Sequence, residues 1–270
     1  TLFASSDGKS KKSINVSNIT ATCEQQVSRL LFTLGEVIIQ QKPDLDEIKL
    51  NPKTVSVVQT LIQPSIPQHN VSSVSSSPGG GNDVLNSTVR AHAFTTLGKC
   101  CLRSKALAKT MVPVMIRELR SGECPVVRNN VLVVLCDMCR TFTDTVDGQV
   151  DAVTATLRDE NEVVRRHGLM ILVQLLQEDY IKWKGPMFFR ALRTIIDDDQ
   201  AVKTFAKGAL TKLIVAKWPR QFHKHFVEAV FYYNNETTSK KYNHFPNWTG
   251  DEQFALDGEN KRQLRLYIYQ

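Results

Sequence analysis

Long hydrophobic runs are missing from this sequence. The longest apolar stretch, Val131 to Cys139, falls well short of the roughly 18 residues needed to cross a bilayer, and Asp137 interrupts it. The opening residues TLFASSDGKSKKS also lack the apolar core of a secretory signal. We therefore expect neither a membrane protein nor an exported one.

Cysteine is sparse, with six residues in the 270-residue chain. This number is too small for a disulfide framework, and several cysteines fall inside apolar helical stretches, which indicates a reducing compartment. Cys136 and Cys139 have the spacing of a metal or redox pair, but no second pair stands at zinc-ribbon distance. The pattern predicts that both pack in a helical core.

Catalytic and cofactor motifs are missing too. The sequence has no glycine-rich phosphate loop, no nucleophile elbow and no kinase signature. His223 and His225 lie two residues apart on a predicted helix, so their rings face different sides and would chelate poorly. The acidic run Asp197 to Asp199 precedes a predicted helix, where carboxylates favour the helix N-terminus. We predict no enzyme activity, no cofactor and no metal site.

What the sequence does contain is an internal repeat of 37–38 residues. A Val followed by Arg or Lys recurs at positions 89, 127, 164 and 202. Counting 4, 8 and 11 residues onward from each Val gives apolar or small residues on one helical face. A second apolar-periodic segment accompanies each of these helices. These segments are Leu107 to Leu119, Val150 to Leu157, Phe188 to Ile196 and Phe222 to Tyr232.

Turn residues between these segments fit helical hairpins. Pro125 suits the first position of a helix, Asn161 is a suitable cap, and Asp159 and Asp197 each precede the Val of their repeat by five residues. Such a hairpin cannot bury its own apolar faces, so neighbouring hairpins must stack. The predicted fold class is all-α, a HEAT-repeat α-solenoid of antiparallel hairpins.

Composition and periodicity divide the chain into five segments. We predict a flexible N-terminal segment at 1–20, HEAT-like helices at 21–62 and a disordered Ser/Pro/Gly-rich insertion at 63–86. The repeat array follows at 87–235, and 236–270 form a C-terminal extension with a partly helical end. The missing initiator Met also suggests a piece of a longer chain.

The segment at 21–62 continues the repeat register, and the insertion after it contains a candidate modification site. The 0, 4, 8, 11 pattern places Gln26, Leu30, Leu34 and Val37 on the inner face of a helix, and Asn51-Pro52 begins another helix. Ser77, which precedes Pro78, has the minimal form of a proline-directed phosphorylation site.

Positive charge is concentrated on the repeats. Residues 84–233 hold 22 basic and 15 acidic side chains, whereas the flanking segments are balanced. This excess favours a phosphate backbone or an acidic partner, and the candidate contacts are Arg165, Arg166, Lys203 and Lys207. The alternative is that the arginines after each repeat's Val pair with turn acids of neighbouring hairpins.

Two further segments are candidates for partner binding. Lys182, Trp183 and Lys184 combine an aromatic anchor with a charged rim, although Trp183 could instead be buried between repeats with both lysines solvated. The basic and apolar residues from Lys261 to Ile268 predict an amphipathic helix that either binds a partner or continues the array.

From Thr88 to Tyr242 the sequence resembles the D-type HEAT-repeat subunits of condensin. The segments VRAHAFTTLGKCCL and VVRNNVLVVLCDMC carry the resemblance, and EDYIKWKGPMFFRALRTIIDDD with FHKHFVEAVFYYNN and KYNHFP resembles the condensin II version.

The resemblance implies a non-catalytic scaffold subunit that acts in mitotic chromosome condensation and segregation, in the nucleus and on chromosomes. The implied partners are two SMC ATPases, a kleisin, a second HEAT subunit and, through backbone contacts, DNA or nucleosomes. Neither a membrane nor a small-molecule substrate is implied. The alternative function is another HEAT scaffold, such as a karyopherin-like transport factor or a phosphatase scaffold.

Overall fold

A computed structural model describes residues 16–40, 50–63, 81–183, 185–234, 254–256 and 258–270. The regular structure in these ranges is helical. The α-helices are α1 (Val16–Gln40), α2 (Pro52–Leu61), α3 (Gly81–Leu102), α4 (Lys105–Ser121), α5 (Pro125–Thr141), α6 (Thr143–Val146), α7 (Val150–Ala155), α8 (Glu162–Gln177), α9 (Gly185–Arg193), α10 (Gln200–Gly208), α11 (Val215–Lys217), α12 (Gln221–Tyr233) and α13 (Arg262–Tyr269). Short 3₁₀ turns follow α6, α7 and α9, and a π-helical stretch, Ala209–Ile214, joins α10 to α11.

The helices pack in two layers. The second helices of successive hairpins, α1, α3, α5, α8 and α10, contact one another in sequence, and α4, α7, α9 and α12 do the same in the other layer. Within a hairpin the first helix packs on the second, as α2 does on α3, α4 on α5 and α7 on α8. The predicted all-α solenoid of stacked hairpins is confirmed.

The repeat register predicted the core of the second helices. In α5 the four counted positions, Val127, Val131, Leu135 and Met138, are buried. The equivalent positions of α3 and α8 are also buried, as are Val202 and Ala206 of α10 and Leu210 of the π-helical stretch after it. Burying one such side chain contributes roughly 1.5–3 kcal/mol, so this stripe is a main source of the stability of the array.

The predicted helix starts are also present. Pro125 is the first residue of α5. Asn161 caps α8, because its side chain accepts hydrogen bonds from the amides of Val163 and Val164 at 3.0 and 3.4 Å. Asp199 caps α10 in the same way, which satisfies amides that have no partner inside the helix.

The register predicted for α1 is wrong by one residue. Leu30 and Val37 are 69% and 50% exposed, whereas Leu31 and Ile38 are 5% and 6% exposed. The hydroxyl of Thr96, on α3, donates to the carbonyl of Leu31 at 2.9 Å and marks the packed side. Apolar residues occupy several sides of α1, so only its contact with α3 selects the face that is buried.

Two helices begin earlier than the predicted segment boundaries. α1 starts at Val16, inside the segment predicted to be flexible, and α3 starts at Gly81, inside the predicted disordered insertion. Extending a helix that has already formed adds one hydrogen bond for each residue fixed, which accounts for these added turns. The remainder of the insertion at 64–80, with Ser77, lies outside the described residues. α13 supplies the predicted helical end, and none of the described helices is long and apolar enough to cross a membrane.

Candidate interaction surfaces

Two arginine clasps, Arg128 with Asp159 and Arg165 with Asp197, join hairpin turns in the middle of the array. The Nε and Nη2 of Arg128 donate to the carboxylate of Asp159 at 2.7 and 2.6 Å, and its Nη1 donates to the carbonyl of Gly122 at 2.7 Å. Arg165 binds both carboxylate oxygens of Asp197 at 2.9 Å. No side chain of either pair is more than 12% exposed. These bidentate bonds fix consecutive turns against each other.

Arg90 makes the corresponding contact with a different kind of acid. Its Nη1 and Nη2 donate to the carboxylate of Glu118 at 2.8 and 2.5 Å, and its Nε donates to the carbonyl of Ile62 at 2.8 Å. Glu118 lies in the last turn of α4 and not in a hairpin turn. The three arginines therefore pair with acids of neighbouring hairpins, which is the alternative that the sequence left open.

The four cations predicted to contact DNA or an acidic partner have different surroundings. Arg165 is held in its clasp, whereas Arg166 and Lys207 are exposed and Lys203 is half-buried. Arg166, Lys203 and Lys207 have no carboxylate partner in the part of the chain that the structure describes. The helices that carry them, α8 and α10, pack against each other. Within the described ranges, three of the four cations thus have no carboxylate that competes with an external anion.

Trp183 lies among aromatic side chains of the array. Its ring stands edge-on to those of Phe188 and Trp218, with centroids 5.6 and 6.0 Å apart. The buried Nε1 of Trp183 has no hydrogen-bond partner among the described residues. Lys182 is exposed, and Lys184 lies outside the described residues. The ring packing favours the alternative in which Trp183 is buried between repeats over a partner anchor.

Sequence reasoning missed two basic side chains that bind carbonyls at the C-terminal ends of second helices. Lys217, at the end of α11, donates to the carbonyl of Gln177 at 2.8 Å, and the Nε of Arg103 donates to the carbonyl of Ile38 at 3.1 Å. Each reaches back to the C-terminus of the preceding second helix, where carbonyls lack partners. A basic residue just after α3 and one at the end of α11 are the signals that would have found them.

The structure also contains a groove lined by α9, the end of α10 with the π-helical stretch and α11, α12 and α13, which we call the C-terminal groove. Its volume is about 710 Å³. Leu210 and Ala229 are buried at its floor, while Phe226 and Tyr267 line it and remain 49% and 44% exposed. The ammonium of Lys207 lies 5.0 Å from the centroid of the Tyr267 ring. Since the position of α13 is set by tertiary packing, no local sequence signal predicts this groove.

Cys136 and Cys139 are buried in the core of α5, as predicted. Burial raises the pKa of each thiol to about 11, so neither is a thiolate at neutral pH. Among the residues with described positions, no group of three or more His, Cys, Asp or Glu side chains is placed to hold a metal ion.

Stacked antiparallel hairpins with a 37–38-residue period and arginine clasps between turns define a HEAT-repeat solenoid. Residues 24–119 match the family model described as Condensin-2 complex subunit D3-like, HEAT repeats, and residues 126–249 match that of the non-SMC mitotic condensation complex subunit 1. The chain belongs to the D-type HEAT-repeat subunits of condensin II.

Three relatives match most of the chain. Condensin-2 complex subunit D3-L of Xenopus laevis is 35% identical over 251 residues, which cover 88% of this chain and 16% of the relative. Condensin-2 complex subunit D3 of Mus musculus is 32% identical, covering 93% of the chain and 18% of the relative. Condensin-2 complex subunit CAP-D3 of Arabidopsis thaliana is 27% identical, covering 96% and 20%. The chain thus spans a fifth or less of the length of these relatives.

Proposed function

We propose that the chain is a non-catalytic scaffold segment of condensin II that acts in mitotic chromosome condensation and segregation, in the nucleus and on chromosomes. The observation that carries the proposal is the use of charge inside the array. The clasp arginines and the basic residues that close the second helices hold neighbouring repeats together, which suits a rigid binding surface. Family membership favours this function over a karyopherin-like carrier or a phosphatase scaffold.

The proposed partners are the kleisin, the SMC pair and the second HEAT subunit of the complex. Membership of the D-type condensin II subunits supports a role in assembly. Lys182, exposed beside the packed Trp183, remains the candidate rim contact.

Co-expression of the chain with the kleisin and the SMC heads tests this assembly. We expect co-elution on size exclusion at physiological salt, weakened by Lys182→Glu and unchanged by Lys109→Glu, an exposed control on α4. Elution of the chain apart from both partners would contradict the proposal.

Contact with DNA or nucleosomes through the phosphate backbone is proposed for the available cations on α8 and α10. Each phosphate contact contributes about −0.9 to the slope of log affinity against log salt. Fluorescence anisotropy with a labelled duplex at several salt concentrations measures this slope. The double variant Arg166→Glu, Lys203→Glu should make the slope shallower by roughly the contribution of two phosphate contacts. Lys109→Glu should leave the slope unchanged, and equal slopes in all three proteins would rule out this surface.

Ser77 is proposed as a site of proline-directed phosphorylation. Mass spectrometry of the protein from mitotic and interphase cells tests this assignment. Phosphate on Ser77 that increases in mitosis would support regulation, whereas full coverage of the peptide without phosphate would contradict it.

A further inference from the structure

We propose that Arg158 and Arg193, which we call the arginine pair, together bind a phosphoryl group at one end of the first-helix layer. The group comes either from a free phosphate or pyrophosphate ion or from a phosphorylated residue. The inference rests on these two side chains and their surroundings and does not depend on membership of condensin II.

The packing of two neighbouring first helices brings the pair together. The helices α7 and α9 are in contact, and the Nη1 of Arg190 donates to the carbonyl of Asp151 at 2.8 Å and to the hydroxyl of Thr154 at 2.6 Å. Successive first helices of stacked hairpins run in the same direction. Arg193 follows Arg190 by three residues, about one turn further along α9. Arg158 follows Thr154 by four residues, in the 3₁₀ turn after α7, and therefore lies at the same end of this contact.

The guanidinium groups of the pair have few partners. The Nε of each arginine is buried and has no hydrogen-bond partner among the described residues. In the same ranges Arg193 forms one long hydrogen bond, from its Nη1 to the carbonyl of Ile196 at 3.4 Å, and Arg158 forms none. Buried polar groups in native proteins are normally hydrogen-bonded, and leaving a donor unpaired costs free energy. Two such donors at one place indicate a site for a shared acceptor.

The acids next to the pair in the sequence do not neutralise it. Asp159 accepts from Arg128 and Asp197 accepts from Arg165, in the two clasps. Asp198 is exposed, and within the described part of the chain it forms no ion pair with either arginine of the pair. The positive charge of the pair is therefore open to an anion from outside the chain.

The electrostatics of Arg193 agree with this geometry. Burial lowers the pKa of its guanidinium, and the charge of Arg158 lowers it further. Tyr233, Asp198 and Asp197 act in the opposite direction and do not outweigh these two causes. A phosphoryl group between the two guanidiniums would compensate their like charges and accept hydrogen bonds from both.

Two guanidiniums at one point suit a phosphoryl group better than a carboxylate or a duplex. A phosphoryl group on a side chain has three acceptor oxygens and a charge of about −1.5 to −2 at neutral pH, whereas one carboxylate is filled by a single guanidinium fork. A duplex presents its charges in rows, and the cations proposed for DNA lie in the layer of second helices. Both arginines of the pair are partly exposed, so the anion can reach them from solvent.

Isothermal titration of the whole chain with sodium pyrophosphate, at constant ionic strength, tests the proposal. Because hydrogen bonds between charged groups are strong, Arg158→Gln and Arg193→Gln should each weaken pyrophosphate binding by at least about tenfold. Arg166→Gln removes an exposed cation on α8 and should leave the affinity unchanged. Circular dichroism melting checks that each variant folds like the parent, and either variant of the pair suffices if the other does not fold.

A competition experiment identifies the source of the phosphoryl group. N-acetyl phosphoserine amide that displaces pyrophosphate, where N-acetyl serine amide does not, would support a phosphorylated residue. Pyrophosphate binding that depends on the pair but resists this competitor would support a free anion.

Three results would overturn the proposal. Pyrophosphate that does not bind, or that binds the parent and both variants of the pair equally, would show that the pair holds no phosphoryl group. Acetate that binds as tightly as pyrophosphate would assign the pair to a carboxylate. Duplex DNA that loses affinity on Arg158→Gln while pyrophosphate does not would assign the pair to nucleic acid.

Discussion

Arg128 and Arg140 lie at the two ends of α5 and carry the same charge in different surroundings. Arg128 is buried in its clasp with Asp159 and also binds the carbonyl of Gly122. Arg140 forms a more exposed pair with Glu178, with an Nε to Oε2 distance of 2.9 Å. Removing one partner of a buried ion pair leaves the other charge without compensation, whereas water solvates the remaining charge of an exposed pair.

Arg128→Ala should therefore lower the free energy of unfolding by about 3–5 kcal/mol, since the carboxylate of Asp159 stays buried without its cation. Arg140→Ala should lower it by less than about 1 kcal/mol. Urea denaturation of the two variants and the parent measures both effects. Equal losses would contradict the structural role of the clasp.

Cys124 precedes α5 and differs from the buried thiols of the core. Burial opposes its charged form, but hydrogen bonds from the Val127 amide and the Ser87 side chain outweigh that effect and lower the pKa of Cys124 below its ordinary value. Burial instead raises the pKa of Cys100 to about 11 and that of Cys101 to about 12. A thiolate is the reacting species in disulfide exchange.

We expect an aromatic disulfide reagent to label Cys124 faster than any buried thiol near pH 7. Because the pKa of Cys124 is lowered, its labelling rate should decline only at a more acidic pH than that of an ordinary thiol. In a protein that carries Cys23→Ser, which removes the exposed thiol of Cys23, Cys124→Ser should remove this fast phase and Cys101→Ser should not. A rate for Cys124 no greater than that of Cys101 would contradict the assignment.

At the scale of elements, the close approach of α3 and α5 depends on Gly98. A Cβ at this position would lie 2.5 and 2.7 Å from the two Cγ atoms of Val134. Val134 is β-branched and has one strongly preferred rotamer in a helix, so the helices would have to separate. Gly208 lies in α10, and a Cβ there would meet no atom within 4 Å. The two glycines are a matched pair for a packing test.

Gly98→Ala should lower the free energy of unfolding by about 1–3 kcal/mol, because overpacking outweighs the gain in helix propensity. Gly208→Ala should raise it by about 0.5–1 kcal/mol, because only the propensity changes. Thermal and urea melts of both variants provide the measurement. A stabilised Gly98→Ala protein would show that α3 and α5 are not packed as described.

How far the sequence predicted each element depended on whether the signal was local. Asn161 and Pro125 act within their own helices, so the capping positions were predicted. The face of α1 was missed by one residue, because Leu30 and Leu31 are equally apolar and only α3 distinguishes them. The partner of Arg90 and the C-terminal groove depend on how distant helices pack, which neither periodicity nor composition reveals.

At the scale of the whole molecule, the array uses part of its positive charge internally. The excess of basic residues over residues 84–233 includes arginines that clasp turns and basic residues that close helices. Exposed cations without a carboxylate partner among the described residues include Arg166 on α8 and Lys207 on α10, toward the C-terminal end of the array. Association through this end should therefore weaken as salt rises, while the folded array itself should be less sensitive because its clasps are buried.

Affinity purification would show whether this chain is part of a condensin II scaffold. The full-length protein that contains the chain would be tagged, purified from mitotic cells, washed at high salt and examined by mass spectrometry. We expect recovery of an SMC pair, a kleisin and a second HEAT subunit. Recovery of transport or phosphatase partners in their place would contradict the proposed function and leave the HEAT-repeat fold unchanged.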